Sequence, residues 1–166
     1  MCCEFHLFLL QTYLYIQIKK LLKTYLEVGI MVTINYFAVI AATVACQAIG
    51  FAWYGPVFGK LWMKLSGITE KQIAEKKKKG MCLTFALSAL SSLLMAYVLA
   101  HFVDYVGATT IGGALQLAFW IWLGFIATVA LGSVLWEGKS WQLYGLNIAY
   151  YIVTLSVMAS ILAVWV

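Results

Sequence analysis

The chain contains no arginine, a single proline (Pro56), two histidines (His6 and His101) and few charges of any kind. Each shortage excludes something. Without arginine there is no bidentate fork for phosphates or base edges, which argues against a nucleic-acid partner. Only 10% of residues are charged and 64% are hydrophobic, and the mean hydropathy is +0.94. Soluble domains carry roughly 25% charged residues and about half apolar ones. A fold of 166 residues cannot bury that much apolar surface internally, because its surface is too large relative to its volume. The excess must face lipid, where only helices and closed barrels satisfy their own backbone hydrogen bonds. The apolar runs exceed the roughly ten residues of a barrel strand and do not alternate, so helices are the expected solution.

Motifs of chemistry are also scarce. No G-x-S-x-G, H-E-x-x-H, phosphate-binding loop or dinucleotide fingerprint occurs. Cys2, Cys3, Cys46 and Cys82 show neither C-x-x-C nor histidine-paired spacing, so no metal site and no cofactor are expected. Cys46, inside an apolar run, reads as a small hydrophobe. After residue 80 the acidic residues are Asp104 and Glu137, placed at opposite ends of the spans, so they do not form a catalytic carboxylate pair. The expectation is a protein that is not an enzyme.

What remains is organised by four apolar spans, expected near 34–53, 81–103, 113–135 and 141–165. Trp53-Tyr54-Gly55-Pro56 ends the first, because Pro lacks an N–H and Gly is conformationally loose, and the aromatic rings suit a membrane–water boundary. Phe58, Leu61, Trp62 and Leu65 follow the i, i+3, i+4, i+7 pattern of a short amphipathic helix lying in the interface, which Gly67 ends. Thr69 and Gln72 read as a capping box opening a second short helix, with Glu70 in its first turn. Small residues suggest close-packing faces at Ala41, Ala45, Ala48 and Ala52 in the first span and at Gly124, Thr128 and Gly132 in the third. The fold class is therefore an all-α integral membrane protein: four core transmembrane helices in a bundle, with a short amphipathic interfacial helix in the first cytoplasmic loop.

Seven of the eleven lysines fall between residues 60 and 79. By the positive-inside rule the loops 54–80 and 136–140 face the cytoplasm, while the loop 104–112 and the C-terminus lie outside, in a cell (inner) membrane. Lys76, Lys77, Lys78 and Lys79 read as a topology anchor, or as a site for anionic lipid at about 1 kcal/mol per charge. Residues 1–30 are a separate extension. Phe5–Ile18 is short for a span, and Lys19, Lys20 and Lys23 interleave with leucines like an interfacial helix. The alternative is that Met31 is the natural start.

Polar residues inside spans usually face the bundle interior and form the default functional hypothesis. One set lies toward the lysine-rich side: Gln47, Tyr54, Asn147 and Tyr151, with Tyr144 on the same helix face. Gln47 and Asn147 are expected either to line a pocket between the first and fourth spans or to make an interhelical hydrogen bond. The other set lies toward the opposite side: Asn35, His101, Asp104 and Gln116. His101 with Asp104 is either a proton-responsive couple or a helix cap at the water surface.

These residues also carry a resemblance. Residues 31–166 resemble a family of small bacterial and archaeal membrane proteins called domain of unknown function 1761. The most specific stretch is Trp53-Tyr54-Gly55-Pro56-Val57-Phe58-Gly59-Lys60-Leu61-Trp62-Met63. Ile34-Asn35-Tyr36, Gly67-Ile68-Thr69-Glu70, Met95 through Phe102, Trp122-Leu123-Gly124-Phe125, Glu137-Gly138 and Asn147 add to it. The resemblance implies a four-helix membrane protein and supplies no mechanism. The functional expectations are binding or moving a small solute of unknown identity, with a homodimer required for a pathway. The alternatives are an accessory subunit of a larger membrane complex and, third, a small membrane enzyme using His101. The partners expected are membrane lipid and a second copy or another membrane protein.

Overall fold

The computed structural model describes residues 15–20, 34–78 and 80–165, and the side chains of Lys76–Lys79 are outside that description. The chain divides into two units, 1–33 and 34–166. In the first, residues 15–20 are helical (α1) and the Lys19 ammonium lies 5.5 Å from the centroid of the Tyr15 ring. The rest of the expected amphipathic extension, including Cys2, Cys3, His6 and Lys23, lies outside the described residues, as do the Lys76–Lys79 side chains.

The second unit is all helix and turn among its described residues. Four helical segments are long and apolar enough to cross a membrane: Tyr36–Val57, Cys82–Val106, Ile111–Leu135 and Trp141–Val164. The first consists of α2 (Tyr36–Ala52) and a π turn (Trp53–Val57). It is followed by α3 (Gly59–Ser66) and α4 (Glu70–Lys78). The second span is α5 (Cys82–Val106). The third is α6 (Ile111–Ile121), a π segment (Trp122–Ala127) and α7 (Thr128–Leu135). The fourth is α8 (Trp141–Val164).

Local chemistry places the ends. Asn35, Thr110 and Ser140 cap α2, α6 and α8 through side-chain oxygens that accept backbone N–H groups. The capping box of α4 closes in both directions: Thr69 N–H donates to Gln72 Oε1 at 3.0 Å and Gln72 N–H to Thr69 Oγ1 at 3.3 Å. Gly67 ends α3 and Gly107 ends α5, both at positive φ (67° and 66°), where a side chain would strain the backbone.

The first span runs beyond its expected end at Trp53. Pro56 does not stop the helix. The chain widens into a π turn in which Phe58 N–H reaches the Trp53 carbonyl at 2.9 Å. A wider turn relieves the clash between a proline ring and the carbonyl four residues back. Gly59 then starts α3 so close to the π turn that a Cβ there would sit 2.8 Å from the Tyr54 carbonyl oxygen. In α3 the half-buried face is Trp62, Met63 and Leu65, while Leu61 turns outward with Lys60 and Lys64.

α8 is the helix around which the unit is built. It packs on α2, α5 and α6, and more lightly on α7 and α3, whereas α5 and α6 barely touch. Its buried side chains include Leu155, Met158, Ala159 and Leu162. Small residues at i, i+4 spacing let neighbours approach: Ala38, Ala42 and Cys46 on α2, and Ala114 and Ala118 on α6. These are not the expected stripes. Ala48, Ala52, Gly124 and Thr128 are exposed. The α2 contact face is turned away from the expected one, and the π segment inserts its wide turn at the point where Gly124 lies.

Candidate functional site

The lysine-rich end of the second unit carries a cluster of aromatic and polar side chains that joins α2, the π turn, α3 and α8. Tyr150 of α8 stands between Trp53 and Tyr54, with ring centroids 6.2 and 5.0 Å away. Trp53 also meets Phe58 at 4.7 Å, and Tyr150 meets Tyr151 at 5.1 Å. Gly50 makes room for this arrangement, since a Cβ there would lie 3.1 Å from the Tyr150 hydroxyl. The solvent-shielded Trp53 Nε1–H has no acceptor among the described residues. Rings that present an apolar body and a polar tip fit a membrane boundary, and their tilted and edge-on contacts match the aromatic quadrupole.

Two hydrogen-bonded groups flank Tyr150. In the first, the Tyr54 hydroxyl donates to Asn147 Oδ1 at 3.1 Å, tying the π turn to α8. In the second, Gln47 Nε2 donates to Ser92 Oγ at 2.8 Å and to Ser88 Oγ at 3.2 Å, tying α2 to α5. Ser92 in turn donates to the Ser88 carbonyl at 3.0 Å. Cys46 lies between the groups: its thiol donates to Ser92 Oγ at 3.4 Å and its sulfur is 4.0 Å from the Tyr150 hydroxyl. Gln47 and Asn147 therefore have different partners, and no hydrogen bond joins them. Tyr54 and Asn147 come together, and Tyr151 adjoins them through Tyr150. Tyr144 shares the α8 face of Asn147 but donates to the Ala127 carbonyl at 3.0 Å, while Trp122 Nε1–H donates to the Ile148 carbonyl at 2.8 Å. These two bonds pin the π segment of the third span to α8.

Tyr54 also lines an open cleft of about 370 Å³. One wall is the π turn and α3, with Tyr54, Gly59, Lys60 and Trp62; the facing wall is the start of α4, with Glu70 and Ile73. The Tyr54 and Trp62 rings meet edge-on at 5.8 Å. Lys60 and Glu70 line the same cleft, and neither forms an ion pair with another described residue. Its volume is at the small end of the range for ligand pockets, roughly 300–1,000 Å³.

The four residues expected toward the opposite end do not form one site. Asn35 caps α2, its Oδ1 accepting from Phe37 N–H at 3.0 Å, and its Nδ2 donates to the Trp165 carbonyl at 2.9 Å across to α8. His101 bonds its own helix, with Nδ1 2.9 Å from the Tyr97 carbonyl and its ring edge-on to Tyr97 at 4.6 Å. Asp104 makes no ion pair with it among the described residues, and the Asp104 carbonyl closes the end of α5 by accepting from Gly107 N–H at 2.9 Å. Gln116 is exposed on α6. Among the described residues no three His, Cys, Asp or Glu side chains come together.

Sequence reasoning did not single out Ser88, Ser92, Tyr150, Lys60, Trp62 or Glu70 as partners in a site. Ser88 and Ser92 carried a readable signal, lying four apart on one helix face. Lys60 and Glu70 did not, because a charge in an interfacial loop looks the same whether it faces water or a cleft.

Residues 37–163 match the model of a family described as protein of unknown function (DUF1761). No curated protein and no solved structure matches the chain. The matched segment covers the second and third spans, all but the outermost residue of the first and fourth, the cleft and both hydrogen-bonded groups.

Proposed function

The chain belongs to the DUF1761 family, and on that premise we propose that it is a non-enzymatic membrane protein that binds a small solute in the cleft beside Tyr54. The carrying observation is that cleft of about 370 Å³, with aromatic rings and two opposite charges on its walls. Polar and aromatic groups that converge on a concave site are the default mark of binding. Tyr54 couples the cleft to the bundle through Asn147 and Tyr150. A bound solute is thereby linked to the α2–α8 contact, which is the link that movement of the solute would use. In the same proposal the lysine-rich segment lies on the cytoplasmic side of an inner membrane, following the positive-inside rule.

Native mass spectrometry of the full chain released from a mild detergent tests this reading. A small-molecule adduct is expected on the wild type. Trp62→Ala is expected to remove it and Asn147→Leu to weaken it at least fivefold, whereas Gln47→Leu retains it. An adduct that survives Trp62→Ala contradicts the assignment of the site.

A second reading, an accessory subunit, draws on the third span. Gly124 and Thr128 are exposed there, and among the described residues outside its own helical backbone nothing comes within 4 Å of a Cβ built on Gly124. A stoichiometric membrane-protein partner in the same spectra would favour it.

A further inference from the structure

The cleft is polarised. Lys60, near the start of α3, and Glu70, at the start of α4, both line it, and neither forms an ion pair with another described residue. Two opposite charges that share a cavity without pairing set a condition on the occupant. A purely anionic ligand is attracted to Lys60 and repelled by Glu70, and a purely cationic ligand meets the reverse. A ligand bearing both signs satisfies both walls at once. The Tyr54 and Trp62 rings add a surface suited to the positive end, since an ammonium is drawn to the faces of tyrosine and tryptophan. The cleft lies between the short helix α3 and the π turn that ends the first apolar span, and amphipathic helices beside spans are suited to the membrane interface.

We propose that this cleft selects a zwitterion: a small group with an ammonium held at Glu70 and the aromatic rings, and a phosphate or carboxylate held at Lys60. The inference rests on the binding role proposed above. Two sources carry this chemistry, an ethanolamine-type phospholipid headgroup and a free amino-acid-like solute.

The experiment measures binding by native mass spectrometry on the full chain with three soluble probes: glycerophosphoethanolamine, glycerophosphate and ethanolamine. The wild type is expected to bind the zwitterion at least tenfold more tightly than either singly charged probe. Glu70→Gln is expected to shift preference to glycerophosphate, Lys60→Met to ethanolamine, and the double exchange Lys60→Glu with Glu70→Lys to restore preference for the zwitterion. Both side chains are exposed, and unchanged circular dichroism confirms that the variants fold. Equal binding of glycerophosphate and glycerophosphoethanolamine that still requires Trp62 would overturn the zwitterion while leaving the binding site standing. No Trp62-dependent binding of any probe, either in detergent or in nanodiscs containing phosphatidylethanolamine, would overturn both. The source is read from nanodiscs with and without phosphatidylethanolamine. A Trp62-dependent adduct retained only with that lipid assigns the headgroup, and one formed equally in phosphatidylglycerol discs on adding the soluble probe assigns the free solute.

Discussion

At the residue scale, the contrast between Gln47 and Tyr54 separates packing from binding. Gln47 is a knot: its amide reaches two serines on α5 and lines no described cleft. Interhelical hydrogen bonds in membranes contribute about 0.6 kcal/mol on average and up to about 1.7. Gln47→Leu is therefore expected to lower stability by about 1 kcal/mol in denaturant titration while leaving solute binding unchanged. Tyr54 does both jobs, since its hydroxyl bonds Asn147 and its ring lines the cleft. Tyr54→Phe keeps the ring and removes the bond, so the expected result is a comparable loss of stability together with weaker binding. A Tyr54→Phe variant with unaltered binding would show that the ring alone matters.

At the element scale, the π turn sets the site. It carries Trp53 and Tyr54 round to Tyr150 and delivers the chain directly into α3. Gly59 is the tightest point of that path, and Gly59→Ala places a methyl 2.8 Å from the Tyr54 carbonyl oxygen. Relief requires the backbone to shift, at a cost of about 1–3 kcal/mol for overpacking. The expectation is a lower melting temperature and reduced binding together, and full activity of this variant in both assays would contradict the geometry. The spans themselves were legible because long apolar runs leave few alternatives. The π turn was not: Gly55 and Pro56 signal a break, and helical periodicity has no term for a turn that closes five residues on. The packing stripe of α2 was illegible for another reason. Alanines occupy positions 38, 41, 42, 45, 48 and 52, so more than one small-residue stripe was available. Which one is buried depends on where α8 places its bulky side chains, and that is non-local information. Asn147 and Tyr54 stood out as polar groups in apolar runs, but the division of Gln47 from Asn147 followed only from the helix arrangement.

For the whole molecule, α8 collects the other spans while the third span exposes Gly124, Phe125, Thr128 and Val129. If that face meets lipid, Gly124→Leu is expected to change stability by no more than about 0.5 kcal/mol, as for a surface site, and to leave the detergent-corrected mass in light scattering unchanged. A drop from dimer to monomer in that measurement would instead assign the face to a second copy. At the lysine-rich end Tyr54 and Gln47 tie the first span to α8 and α5, and at the opposite end the Asn35 to Trp165 bond ties the start of α2 to the end of α8.

The most direct measurement is an experimental structure of the full chain in a lipid nanodisc, at a resolution that resolves side chains. The account predicts non-protein density between the Tyr54–Trp62 pair and Glu70, within reach of Lys60, with the Tyr54 to Asn147 bond intact beneath it. A cleft closed by its own side chains, with ligand density elsewhere in the bundle, would contradict it.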